Sequence, residues 1–178
     1  MNMRIEAVPI AKPKAGAVKN KAKVALGAMS KQLSASNISS RSPDLLIQIT
    51  GVRSGNLHSI QTKIRQGLTY KAFTTLEKAL DMPQKELADV LQIPISTLRR
   101  RKEANRLHMD ESDRIVRYAR IKEAALDMMQ GDNSAAIKWL HSPLELLSNE
   151  SPLDHANTEM GARDVEDLIT RIRHGVFS

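Results

Sequence analysis

From Thr69 to Lys102 the chain sets short rows of apolar residues among polar ones at helical spacing. Phe73, Leu76 and Leu80 recur at intervals of three and four, which puts them on one side of a helix. Met82-Pro83 ends that helix and leads into residues 84–102, QKELADVLQIPISTLRRRK. Leu87, Ala88 and Leu91 share a face of a second, short helix, and Ala88 is small enough for another helix to cross closely. Pro94 prevents this helix from continuing, because proline has no N–H and its ring clashes with the preceding turn. Ser96 reads as the N-cap of a third helix, its hydroxyl able to accept from a backbone N–H two or three residues on. Leu98 then points back at Leu87 and Leu91, leaving Thr97, Arg99, Arg100, Arg101 and Lys102 outward. A capped helix, braced by another and basic on its free face, has the logic of a DNA-binding helix-turn-helix; Ser96, Thr97, Arg99, Arg100, Arg101, Lys102 and the nearby Arg106 are the candidate DNA contacts. Two positions depart from the usual pattern. Gln92 stands where such turns commonly need glycine for a positive φ, and Arg101 stands where an apolar residue is usual. A helical hairpin with a solvated Arg/Lys face would share most of these features.

The flanking pattern is also helical. Leu45, Leu46, Ile47 and Ile49 form an apolar block broken by Gly51 and Gly55, a short helix or strand. Ile60, Ile64 and Leu68 recur at spacing four and end near Gly67. Met109-Asp110-Glu111-Ser112 opens a long helix whose first acids suit the positive end of the helix dipole. Its apolar stripe is Ile115, Tyr118, Ala119, Ala125, Leu126 and Met129, closed by Gly131 as a C-cap. A helix over about 134–140 is expected to bury Ile137, Trp139 and Leu140, and Pro143 ends it. Ser151-Pro152-Leu153-Asp154 places an N-cap, a proline at the first helical position and an acid at the third. The last helix spans about 161–174, with Val165, Leu168, Ile169 and Ile172 toward the core and Arg163, Glu166, Asp167, Arg171 and Arg173 away from it. Gly175 ends it, and Val176, Phe177 and Ser178 follow. The fold class is therefore all-α: a helix-turn-helix DNA-binding domain over 44–108, then a small helical domain over 109–178.

Composition supports helices. Two Phe, two Tyr and one Trp in 178 residues leave the core to Leu, Ile, Val, Ala and Met, and β-branched or aromatic runs are scarce. The net charge of +7 changes meaning once it is located. Residues 1–43 hold eight Lys/Arg against one Glu, while the remainder carries equal numbers of basic and acidic residues. Residues 1–43 thus read as a disordered basic arm, too poor in apolar residues for a core, with a short helix from about 18 to 33 possible. Such an arm either strengthens non-specific DNA binding by counterion release or serves only to solubilise. Without Cys there is no disulfide or thiolate metal site, and no apolar run is long enough for a membrane span or a signal peptide, so the expectation is a soluble, cytoplasmic protein.

The residues offer no catalytic or metal-binding constellation. His58, His108, His141, His155 and His174 are scattered, no phosphate-binding glycine loop occurs, and Asp164, Glu166 and Asp167 read as a solvated helix face. No enzyme activity and no cofactor are expected. Residues 63 to 178, however, resemble the Xre/MbcA/ParS family of bacterial antitoxins, the partners of RES-domain toxins. The resemblance is carried by Ile64-Arg65-Gln66-Gly67-Leu68, by QKELADVLQIPISTLRRRK, by RLHMDESDRIVRYARIKEAAL, by AAIKWLHSPLELL and by SPLDHANTEMGARDVEDLITRIRHGVFS. Gln92 replaces the family's turn glycine, and Leu144-Glu145 stands where the family often has Pro-Asn.

The resemblance implies that residues 109–178 form a toxin-binding domain. It implies a NAD-consuming RES toxin as partner, an NAD cleft obstructed largely by the antitoxin's C-terminal helix and tail, double-stranded operator DNA as the second partner, autorepression of the module, and homodimers or higher complexes with toxin. On this chain the toxin contacts would be Arg163, Glu166, Arg171, Arg173, His174, Val176, Phe177 and Ser178. Phe177 either enters a partner's pocket or folds back on its own core. The alternative function is a stand-alone helix-turn-helix regulator whose C-terminal domain only dimerises.

Overall fold

The computed structural model describes residues 44–52 and 56–175. The basic arm of residues 1–43, its suggested helix, Gly55 and the tail of Val176, Phe177 and Ser178 lie outside the described residues. Those described belong to one compact unit, residues 41–178, and are helical apart from turns and a single isolated β-bridge between Leu144 and Glu150.

The apolar block after Asp44 is a helix, α1 (Leu45–Thr50), ended by Gly51 in the left-handed region. The spacing-four row forms α2 (Leu57–Gln66), capped by Asn56, whose side chain accepts from Ser59 N at 3.1 Å. Leu68 lies beyond its end. The next row is α3 (Tyr70–Leu80), where Phe73, Leu76 and Leu80 have no exposed surface. The two short helices of the motif are α4 (Gln84–Val90) and α5 (Ile95–Ala104). The long helix is α6 (Met109–Met128); α7 (Asn133–His141), a 3-10 turn (Glu145–Leu147), α8 (Pro152–His155) and α9 (Glu159–His174) complete the chain. Helix α6 is the hub and packs against α1, α2, α3, α7 and α9. Its inward face is broader than the sequence stripe, since Val116, Ile121 and the charged Lys122 are also buried. Lys122 donates to Asn133 Oδ1 at 2.6 Å, and burial lowers its pKa. In α7 the buried residues are Ala136 and Leu140; Ile137 and Trp139 are only half-buried.

Three successive helices end alike without glycine. Asp81, Gln92 and Asn105 take left-handed φ values of 51°, 53° and 48°. At the end of α4, Gln92 N donates to Asp89 O at 2.9 Å and Ile93 N to Ala88 O at 2.8 Å, while Ile93 is buried beneath them. This is the paired bonding of a Schellman turn, which satisfies carbonyls that the helix end would leave free. The positive φ expected of the turn is therefore present, imposed on a glutamine. A left-handed residue with a Cβ is strained by roughly 1 kcal/mol. Gln92 is exposed, so Gln92→Gly is expected to stabilise the fold by up to about 1 kcal/mol, the relief being partly offset by glycine's greater freedom when unfolded. A urea titration of the two proteins checks the sign.

Two further expectations about helix starts give way. Ser96 is not the N-cap of α5; Pro94, with φ −55° and ψ 139°, holds that position and the helix begins at Ile95. Proline's fixed φ sets the entry without a side-chain bond, so Ser96 lies in the first turn and is exposed. Helix α9 starts two residues earlier than its apolar row, because Thr158 Oγ1 accepts from Gly161 N at 3.0 Å. Gly161 is required there by contact rather than by φ: a Cβ would overlap the His155 carbonyl oxygen.

Helix α1 is pinned to α6 through acid groups. Leu46 N donates to Asp44 Oδ1 at 3.1 Å and to Glu123 Oε1 at 2.8 Å. Burial first, and then the hydrogen bond with the Asp44 carboxyl, push Glu123 up to about 7 from an ordinary value of 4.5. A carboxyl with a raised folded pKa holds its proton more tightly when folded, so its favourable contribution is complete below pH 4.5 and is lost as pH climbs to about 7. Glu123→Gln keeps an oxygen for Leu46 N and gives Asp44 a permanent donor. The variant is expected to melt higher than the parent at pH 8 and to lose that advantage at pH 5, read from thermal melts at both values.

Candidate functional site

Two surfaces were expected to carry function, and the structure treats their residues unequally. On α5, Leu98 faces the core beside Leu87, Ala88 and Leu91, all buried. With 100° per residue, Arg99, Arg100 and Lys102 fall on the free side and are exposed, whereas Thr97 is half-buried. Arg99 Nε lies 3.4 Å from Glu103 Oε1, one turn on, with both side chains well exposed. Arg100 and Lys102 form no ion pair with another described residue.

Arg101 does not lie on that face. Three residues after Leu98, it turns inward, its side chain 12% exposed, and Nε donates to Glu111 Oε1 at 3.0 Å and Oε2 at 2.9 Å. Glu111 is itself 4% exposed and also accepts from His108 N at 2.7 Å. The usual apolar position near the end of such a helix is thus occupied by the arginine stem, with the guanidinium neutralised by the first turn of α6. Arg106 is exposed but reaches back, Nη1 donating to Gln66 O at 2.6 Å and Gly67 O at 3.3 Å. Beside it Leu107 N donates to Leu68 O at 2.8 Å, and Leu68 N donates to Ser112 Oγ at 2.9 Å. Gly67, at φ 79°, lets the backbone approach Leu107 so closely that a Cβ would overlap its carbonyl. These bonds clamp the α2–α3 connection to the α5–α6 junction and fix the angle at which α5 is presented.

The second surface is the outer side of α9. Its apolar row is as expected: Val165, Leu168 and Ile169 are buried and Ile172 is half-buried. The charges divide. Glu166 Oε1 lies 3.3 Å from Arg120 Nε, and Glu159 bridges Arg117 at 3.1 Å and Arg163 at 3.5 Å. Arg163 and Glu166 therefore have partners within the chain. Arg171, Arg173 and His174 are exposed in the last turn and form no ion pair with another described residue.

A groove of about 580 Å³ runs beside α9, lined by Leu146, Leu147, Ser148, His155, Asp164, Asp167, Thr170 and Arg171. Leu146 is 69% exposed at its edge, a large apolar side chain that the sequence reading passed over. At its floor His155 Nδ1 lies 2.8 Å from Glu150 Oε2 and Nε2 lies 3.4 Å from Asp164 Oδ2. The hydrogen bond to Glu150, partly opposed by burial and helped by Asp164, raises the histidine pKa above its ordinary 6.5. Asp164 lies on a solvated helix face, its side chain 62% exposed, and also touches α8 through His155. Among the described residues no cluster of three potential metal ligands occurs, and no helix is long and apolar enough to cross a membrane.

The joined parts define a helix-turn-helix protein with an appended helical domain that ends in a cationic turn. The family model of the antitoxin Xre-like helix-turn-helix domain matches residues 59–120, and that of the antitoxin Xre/MbcA/ParS C-terminal toxin-binding domain matches residues 124–175. Antitoxin Xre of Yersinia enterocolitica is 37% identical over 116 residues, which cover 65% of this chain and 78% of that protein. Antitoxin Xre of Photorhabdus laumondii is 42% identical over 69 residues, covering 39% of this chain and 47% of that one. Antitoxin Xre of Pseudomonas putida is 36% identical over 84 residues, covering 47% and 52%. The chain belongs to the Xre family of antitoxins, a family of binding proteins and not of enzymes.

Proposed function

We propose that this antitoxin neutralises a RES-domain toxin that consumes NAD, by laying the end of α9 and the residues after it over the toxin's NAD cleft. We propose also that α4 and α5 bind operator DNA and repress the module's own promoter. The observation that carries the first part is the free cationic turn of Arg171, Arg173 and His174 at the end of the toxin-binding domain. Guanidinium groups pair bidentately with carboxylates, so this turn would meet acidic side chains at the edge of the cleft while the residues beyond it cover the opening. Arg163 and Glu166, paired within the chain, contribute less to this contact than the last turn. Val176, Phe177 and Ser178 extend the same contact.

On the DNA side, the division of labour falls between residues 44–108 and 109–178, in a cytoplasmic homodimer whose two α5 helices address two half-sites. Ser96, Arg99, Arg100 and Lys102 reach bases or phosphates; Thr97 is half-covered, and Arg101 and Arg106 hold the helix in place. If Arg99 bonds a guanine bidentately, Arg99→Ala costs roughly 1–3 kcal/mol of binding and relaxes specificity at one base. The double variant Arg99→Ala, Arg100→Ala is expected to lose operator binding without a change in melting temperature, since both side chains are exposed. Unaltered operator affinity would remove α5 as the reading helix. Co-purification of the chain with the toxin of its module tests the other half. A chain that represses its promoter but retains no toxin would instead be a stand-alone regulator that dimerises through its C-terminal domain.

A further inference from the structure

On the proposed reading face of α5, one residue is apolar. Ile95, the first residue of the helix, is 51% exposed. It stands at i and i+4 from Arg99, and Arg99 at the same interval from Glu103, so the three form one row along the free side of the helix. Ser96 and Arg100 flank that row and are also exposed. Leu98, 2% exposed, marks the opposite side. A β-branched residue gains nothing as a helix former at a solvated first turn, where polar residues serve better. Ile95 also packs in no apolar cluster within the described residues, whereas Ile93, two positions earlier, is buried in the core.

We infer that Ile95 is a specificity residue that reads the C5-methyl group of a thymine in the DNA major groove, at a base pair adjacent to the one addressed by Arg99. The inference rests on the reading of α5 as the recognition helix. In the major groove only thymine among the four bases presents a methyl group, and apolar side chains discriminate it by contact. The position fits. The N-terminal residues of a recognition helix lie deepest toward base edges, and the neighbouring Arg99, Arg100 and Lys102 supply the charge that draws the helix to phosphates. A cationic surround with an apolar point at the helix tip is complementary to a methyl group set among acceptors on an anionic polymer. It is a poor match for an apolar protein groove, which would leave three cations to be desolvated.

The test uses the full chain. Duplexes bound by the wild type are selected from a random pool, and each thymine of the selected site is then replaced in turn by deoxyuridine, which removes only the methyl group. Wild type is expected to bind about fourfold more weakly at one thymine per half-site, the worth of one methyl group taken from water. Ile95→Ala, folded normally by thermal melting, is expected to be indifferent to deoxyuridine at that position while keeping its response to the base read by Arg99. If deoxyuridine changes nothing at any position, or if Ile95→Ala remains as sensitive as wild type, the assignment of Ile95 is overturned with the recognition helix intact. If selection enriches no sequence, the recognition-helix reading itself fails and takes this inference with it. Ile95→Val, which keeps a branched apolar tip, is expected to retain the discrimination.

Discussion

Arg101→Ala is expected to lower stability by about 3 kcal/mol, the largest effect of any single replacement in the Arg/Lys run of α5. The side chain is 12% exposed and its only ion-pair partner among the described residues, Glu111, is 5% exposed at its side chain. Removing the arginine leaves a buried carboxylate that still accepts from the His108 N–H at 2.7 Å but has lost its ion pair. Leaving one charge of such a pair behind costs far more than the pair itself contributes, because the remaining ion has lost water without gaining a partner. The melting temperature is expected to fall by roughly 10 °C. Glu111→Gln, which still accepts from His108, rescues part of the loss when combined with Arg101→Met, so the double variant is expected to cost less than the sum of the singles. Any loss of DNA binding in Arg101→Ala then tracks unfolding and disappears in the double variant at low temperature. An Arg101→Ala protein with an unchanged melting curve and weaker binding to all sequences would place Arg101 among the phosphate contacts instead.

The second large effect concerns α9. Arg171 and Arg173 are exposed and unpaired among the described residues, yet they occupy the last helical turn, where cations favour the negative end of the dipole. Their intrinsic contribution to the fold is small, about 0.3–1 kcal/mol each. Under the proposed function the turn meets toxin carboxylates, and truncating one member of a desolvated charge pair costs about 2–5 kcal/mol, so Arg171→Gln with Arg173→Gln is expected to weaken toxin inhibition by roughly a hundredfold or more. Operator binding is expected to be unchanged and the melting temperature to drop by only a few degrees. Inhibition constants measured on toxin NAD consumption, beside melts and operator titrations of the same protein, separate these effects. Full inhibition by the double variant would exclude the cationic turn as the contact.

Much of this architecture is legible in the chain because its core positions are large apolar residues at helical intervals. Phe73, Leu76, Leu80, Leu87, Leu91 and Leu98 are all buried as that spacing requires. The boundaries are less legible, because they depend on single hydrogen bonds and on backbone conformations that no side chain announces. Thr158 extends α9 beyond its apolar row, and Pro94 replaces Ser96 as the cap of α5. Gln92 is a further case: the position commonly takes glycine, yet buried Ile93 and the bonds to Ala88 and Asp89 hold the same backbone against the strain.

Charge proved harder to read than hydrophobicity. The run Arg99-Arg100-Arg101-Lys102 looks like one basic face in a linear sequence, yet a helix rotates Arg101 toward Leu98 and the core. Its partner Glu111 lies ten residues on, past a turn, and reads as a dipole acid until the fold brings the two together. Arg163 and Glu166 do lie away from the core, as their helix face requires, but their pairing with Glu159 and Arg120 is not announced by the local pattern, because those partners sit one turn back or on another helix. The unpaired cations of α9 and the exposed residues of α5 are what remains after these internal pairings are subtracted.

Under the proposed function this chain suppresses NAD consumption by a RES-domain toxin through direct contact. Cellular NAD, followed over time in cells that express the toxin of its module with or without this chain, tests it most directly. NAD is expected to stay near the level of toxin-free cells when the wild-type chain is present, and to fall as in toxin-only cells when it carries Arg171→Gln and Arg173→Gln. NAD that collapses equally fast with and without the folded wild-type chain would contradict it.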